Sequence, residues 1–139
     1  MVRINLLKPK QLADQHLIAE YNEILMLFGH VKKFPKINQI PSDYCLGKGH
    51  ITFFKNKLIY LKKRHEELKK EMKKRGYATN KTINLKLYDK TLSNDWKPKE
   101  SDKELIRKRI AQKLRKKPKY YTYYGKKKPT EYLINLISR

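Results

Sequence analysis

The chain has 139 residues, with 35 Lys or Arg against 13 Asp or Glu and a formal net charge of +22. The length predicts one domain with a single core over residues 1–139, residues 129–139 forming an added C-terminal extension. The charge points to a polyanionic partner, chiefly nucleic acid, because neutralised phosphates release counterions. The excess is uneven: residues 1–50 hold 7 basic and 4 acidic side chains, residues 51–139 hold 28 and 9. The longest wholly apolar run, Ile24 to Phe28, is far short of a bilayer span, and no signal-type apolar stretch follows Met1, so no membrane association is expected. The lone Cys45 excludes an internal disulfide framework, fits a reducing intracellular compartment and reads as a small buried residue. The four histidines lack metal-ligand spacing and no Cys/His cluster accompanies them, so zinc is not expected.

The first predicted helix runs from about residue 10 to 33, with Ala13, Leu17, Ile24, Phe28 and Val31 on one face and no proline inside. Pro35 and Pro41 then discourage helix. A second helix is predicted over about 50–75: Ile51, Phe54, Leu58, Leu61, His65, Leu68 and Met72 recur in steps of three and four, and Gly76 is a natural stop. Short alternation over residues 82–88 has no obvious partner strand, so 77–100 reads as loop. Ser101 and Glu104 form a capping-box pattern that predicts a third helix over about 101–117, ending before Pro118. The remainder reads as an aromatic and basic tail with Tyr120, Tyr121, Tyr123, Tyr124 and Lys126, followed by a short amphipathic end with Leu133, Leu136 and Ile137. The predicted fold is an all-α single domain of three main helices with irregular connections.

Two features carry chemistry. Residues seven apart on a helix differ by only about 20° in direction, so His16 and Glu23 share a face about 10 Å apart, with the small Ala19 between them. A solvated polar face is the alternative use of that spacing. Val2 is small enough to permit removal of Met1, leaving the α-amine on Val2. Such an amine is roughly 10–20% neutral at pH 7 against well under about 0.1% for an ordinary lysine. Only the neutral form attacks carbon to form an imine, and a nearby carboxylate can move protons and stabilise developing positive charge. In the basic half, Arg109 and Lys113 project from one helix face and read as phosphate anchors, a solvated lysine-rich surface being the alternative, and the tyrosine-rich tail interleaves aromatics with cations as single strands and distorted duplexes favour. Core burial is the competing use for two of its four tyrosines. Gly47-Lys48-Gly49-His50 precedes a helix start where free amides could cradle a phosphate, but it lacks a P-loop ending. His50 and His65 read as structural.

Residues 3–6 (Arg-Ile-Asn-Leu), 13–17 (Ala-Asp-Gln-His-Leu), 19–21 (Ala-Glu-Tyr), Glu23 and Phe28-Gly29 recur together in one known pattern. So do residues 47–54, Lys57-Leu58, Lys63-Arg64, Lys74-Arg75-Gly76, Pro118, Tyr121 and residues 123–126. On these the chain resembles the pyrimidine-dimer DNA glycosylase and abasic lyase family of the phage endonuclease V type, over most of residues 1–128. The resemblance implies a compact three-helix repair enzyme that needs no metal or organic cofactor. It acts as an intracellular monomer on double-stranded DNA carrying ultraviolet lesions or abasic sites. It assigns Val2 as the nucleophile and Glu23 as the carboxylate that stabilises the imine and moves protons. Arg3, Gln15, His16, Asn22, Arg109, Lys113, Tyr120, Tyr121, Tyr123 and Lys126 then contact DNA.

The chain departs from the phage-type pattern in four places. Val2 stands for threonine, Asn22 and Met26 for arginines, and Tyr120 for tryptophan. The two lost arginines remove charge-assisted phosphate contacts beside Glu23. A non-catalytic basic nucleic-acid-binding protein, architectural or ribosomal, explains the charge equally well, but it gives no reason for the Val2, His16 and Glu23 arrangement.

Overall fold

The computed structural model describes residues 3–36 and 39–139. Among these residues it is an all-α fold of five helices: α1 (Asp14–Lys33), α2 (His50–Phe54), α3 (Leu58–Lys74), α4 (Glu100–Lys116) and α5 (Thr130–Ile137). A two-stranded antiparallel hairpin, β1 (Thr122–Tyr123) and β2 (Lys126–Lys127), sits between α4 and α5. No helix among the described residues is long and apolar enough to cross a membrane.

The described residues start as buried irregular backbone, with Ile4, Asn5, Leu6 and Leu7 all shielded from solvent and Leu6 turning the chain at positive φ (61°). After a single 3-10 turn at Pro9–Gln11, Leu12 and Ala13 are extended, and α1 starts four residues later than its apolar pattern suggests. Leu12 and Ala13 are buried by that extension rather than by helix. Arg75 takes up the carbonyls of Pro9 and Leu12.

The core lies where α1 packs against α3. Leu17, Ile24, Phe28 and Val31 face it as their spacing requires, together with Tyr21 and Leu27. Glu20 also lies on this side, fully buried, and receives two bonds from Arg64 of α3 at 2.7 and 3.0 Å. Arg64 donates in addition to the Leu7 carbonyl. A buried carboxylate needs such a partner, and removing one member of a buried pair costs about 3–5 kcal/mol. The matched residues Glu20 and Arg64 therefore hold the framework together. His65, fully buried, stacks on Tyr21 at 4.6 Å, in keeping with a structural role.

The second predicted helix is two helices. Its apolar steps run in phase through the break, because Phe54 and Leu58 are four apart and both are fully buried. At Lys57 the backbone leaves helical geometry (φ −126°, ψ 44°). The break is sustained from outside: the Asn94 carbonyl accepts from Ile59 N–H at 3.2 Å, and the Asn94 amide donates to the Asn56 carbonyl at 2.9 Å. Orphan groups at a new helix start are thus satisfied across the fold. Residues 77–99 contain no strand and only two 3-10 turns, Leu85–Leu87 and Lys90–Leu92. They lay Ile83, Leu92 and the Trp96 ring on the core.

The third predicted helix, α4, begins one residue earlier than its capping pattern. Lys99 is the cap residue, and the Asp102 carboxylate accepts its N–H at 2.9 Å, while Ser101 is exposed within the first turn. The predicted tail is folded. Tyr124 and Gly125 both take positive φ (52° and 77°), the two-residue turn that matches strand twist. The extension after Pro129 forms α5, whose Leu133, Leu136 and Ile137 are buried against α4 and the 3-10 turn. The Gln11 amide donates to the Leu136 carbonyl at 2.8 Å and the Arg107 guanidinium to the Ile137 carbonyl at 3.0 Å.

Candidate active site

Beyond Asp14 at its start, α1 presents two carboxylates of opposite character. Glu20 is spent on Arg64, as described. Glu23, three residues on, is only part-buried and makes no ion pair or hydrogen bond among the described residues. Burial pushes its carboxyl above the ordinary range, and the Arg3 charge opposes that in part. A carboxyl raised this way holds its proton closer to neutrality, as a group that both gives and takes protons requires.

Arg3 reaches this region from the buried first segment, with its Nε donating to the Leu46 carbonyl. Its charge also bears on Arg109 of α4, whose pKa burial pushes below the ordinary range. Arg109 and Lys113 in turn bear on His16. Burial, first, and then these two cations depress the His16 imidazole to about 4, so it is neutral at physiological pH. His16 Nδ1 is buried with no hydrogen-bond partner among the described residues, and its ring lies 4.8 Å from that of Tyr121. Tyr121 is buried and meets the Tyr120 ring edge-on at 5.0 Å; Tyr120 is 52% exposed under the Lys117 ammonium. An aromatic line thus runs outward from α1 to an exposed, cation-flanked ring, the combination on which bases stack.

The structure therefore brings Arg3, His16, Glu23, Arg109, Lys113, Tyr121 and Tyr120 into one region. Asn22 is exposed beside Glu23, and Met26, one turn on, is 68% exposed. Gln15 has its amide group engaged: its oxygen accepts from Thr122 N–H at 3.0 Å and its nitrogen donates to the Thr122 hydroxyl at 3.2 Å. Tyr123 and Lys126 are not drawn into the group. Tyr123 packs on Arg75 and donates to the Lys10 carbonyl, while Lys126 is exposed opposite it on β2. Val2 lies outside the described residues.

Several residues matter more than their sequence pattern suggests. Asp14, 2% exposed, accepts from the Thr122 hydroxyl (2.6 Å), from the N–H groups of Tyr124 (3.0 Å) and Gly125 (2.8 Å), and from Arg75 (2.9 Å). Burial alone would raise its pKa, but these bonds hold it below the ordinary carboxylate value. The hairpin turn thus sits on an ionised carboxylate. In the Gly47–His50 segment the His50 N–H donates back to the Gly47 carbonyl at 3.1 Å, so that amide is taken up within the turn, and α2 has one short turn. Its product is the buried His50 ring. Cys45 is half-buried, with its thiol directed at the Lys48 carbonyl.

Among known protein families, the one described as pyrimidine dimer DNA glycosylase matches residues 1–85. Arg3, His16 and Glu23 fall within that stretch; Arg109, Lys113, Tyr120 and Tyr121 fall beyond it.

Proposed function

The chain belongs to the pyrimidine dimer DNA glycosylase family, and from that premise we propose that it also cleaves the strand at the resulting abasic sugar, through an imine on its own N-terminus. The DNA substrate and the glycosylase activity come with the family. In the proposed course, the neutral Val2 amine bonds to C1′ of the dimer's 5′ nucleotide as the glycosidic bond breaks, its electron pair leaving with the base. Loss of the amine proton and opening of the sugar give the imine. Removal of a C2′ proton then expels the 3′ phosphate by β-elimination, and water releases the amine. Glu23 moves the protons and stabilises the cationic imine.

The observation that carries this reading is Glu23. It is a part-buried carboxyl raised above its ordinary range, and the opposing charge comes from Arg3, the residue that follows Val2. The cation cluster of Arg3, Arg109 and Lys113 supplies phosphate contacts, and Tyr120 with Tyr121 supplies stacking surface. His16, being neutral, serves as a hydrogen-bonding group rather than as a cation. The whole of residues 1–139 acts as one repair domain in this reading.

Borohydride trapping on ultraviolet-irradiated and on abasic duplexes tests it. A covalent adduct mapping to Val2, absent in Glu23→Gln and absent when Met1 is retained, is the expected result. No adduct on either duplex, from protein whose mature N-terminus is confirmed as Val2, removes the imine mechanism.

A further inference from the structure

The loop at residues 44–50 grips both polar groups of one residue near the start of the chain. Ile4 N–H donates to His50 Nε2 at 3.0 Å, and the Ile4 carbonyl accepts from the Tyr44 hydroxyl at 2.9 Å. The His50 ring is itself fixed, its Nδ1–H donating to the Cys45 carbonyl at 2.7 Å, which leaves Nε2 as the acceptor. The same loop receives Arg3 Nε on the Leu46 carbonyl. Ile4, Tyr44 and His50 are all at least 95% buried, so these bonds are made without competing water.

We propose that Tyr44 and His50 are positioning residues that fix the approach of the N-terminal amine to the sugar carbon, a reading that rests on the Val2 imine mechanism. With both peptide groups of Ile4 held and Arg3 tethered, only the torsions of two residues separate the amine from a rigid frame. Two residues span at most about 7 Å. Anchoring the Ile4 side chain in the core would hold the segment in place but leave its rotation free. The polar grip fixes the direction as well. The frame is stiff in its turn. The Tyr44 ring packs among Phe53, Phe54 and Trp96 with centroids 6.0–6.2 Å away. Gly49, at φ +96°, turns the chain where a Cβ would press on Pro41 at 3.1 Å, and so returns His50 to Ile4. Burial, with the Arg3 and Arg109 charges, holds His50 neutral down to about pH 4, so the acceptor persists throughout the working range.

The test measures single-turnover strand cleavage, borohydride trapping and equilibrium binding on one abasic duplex, for the wild-type chain, Tyr44→Phe, His50→Leu and His50→Gln. A misplacement of about 1 Å costs about 100-fold in rate. Tyr44→Phe and His50→Leu are therefore expected to slow cleavage and trapping together by about 10- to 100-fold, with binding changed by less than about twofold. His50→Gln, which restores an acceptor, is expected to recover most of the loss. Wild-type rates in Tyr44→Phe, which deletes one oxygen and spares the packing if His50→Leu fails to fold, overturn the proposal. So does a loss of rate matched by an equal loss of affinity, the mark of general loosening. A wild-type chain that traps on no substrate would instead remove the imine mechanism beneath it.

Discussion

Residues 3–4 and residues 122–125 are both pinned to the helical body by hydrogen bonds from buried side chains, yet the two grips use opposite chemistry. The first relies on a neutral imidazole and a phenol holding a peptide unit. The second relies on an ionised carboxylate that collects four donors, one of them a guanidinium. Charge-assisted bonds are about twice as strong as neutral ones. The molecule thus spends its strong attachment on the hairpin that presents aromatic surface, whose Tyr124 already bears an unfavourable positive φ. The chain start, where geometry matters more than strength, is held by weaker directional bonds.

The largest expected effect lies at the stronger grip. Asp14→Ala leaves three hairpin donors without their acceptor and strips Arg75 of one carboxylate, so a loss of about 3–5 kcal/mol is expected in urea unfolding. Duplex affinity should fall with it, because Tyr120 and Tyr121 are carried on the same segment. A loss below about 1 kcal/mol would mean that the Gln15 and Arg75 contacts hold the hairpin without Asp14.

Acid separates the two grips. His50, His16 and His65 are each depressed from 6.5 to about 4, chiefly by burial. Between those values the unfolded chain binds more protons, so stability falls as pH drops from 6.5 towards 4, by about 1.4 kcal/mol per pH unit for each group. Asp14 works in another window. Its folded pKa lies below 3.8, so its contribution is intact above the unfolded value and is lost only as pH falls through the folded one. His50→Gln should therefore reduce the slope between pH 6.5 and 4 by about one proton, and Asp14→Asn should leave that slope unchanged. A change of slope in Asp14→Asn within that window would erase the contrast. Smaller again is the cost of Tyr44→Phe in unfolding, about 1 kcal/mol, as expected for one neutral hydrogen bond.

How much of this was legible in the chain follows from where each partner lies. The core stripes of α1 and α3 were readable because Leu17, Ile24, Phe28, Leu61, Leu68 and Met72 obey the helical period and need only their own neighbours. The break before Leu58 was hidden, since the apolar steps cross it in phase and its cause is Asn94, 38 residues from Asn56. The spacing of His16 and Glu23 pointed to a shared region, and Arg109 and Lys113 were legible as a cationic face. Tyr44 and His50 were not legible as a pair, because what they bind is the backbone of Ile4, and backbone groups leave no mark in residue identity. Asp14 stands out in the chain only as one member of the Ala13–Leu17 stretch, and its role depends on a hairpin more than 100 residues away. The tyrosines divided as burial allowed: Tyr121 is enclosed and Tyr123 part-buried, while Tyr120 and Tyr124 are exposed.

The last expected change concerns the exposed side of α1, which neither grip touches. Asn22 and Met26 flank Glu23, are open to solvent and carry no charge, in a chain whose formal net charge is +22. If DNA lies across this face, an arginine at either position meets a phosphate. Each added phosphate contact steepens the dependence of log affinity on log salt by about 0.9. Raising salt from about 50 to about 200 mM should then weaken Met26→Arg by about 3.5-fold more than the wild-type chain, and the Asn22→Arg, Met26→Arg double variant by about 12-fold more. Binding at low salt should tighten correspondingly, with unfolding unchanged because both positions are open to solvent. A salt slope identical to that of the wild-type chain would show that the duplex backbone does not run beside Glu23, and the cation cluster would then have to orient the strand from the Arg109 side alone.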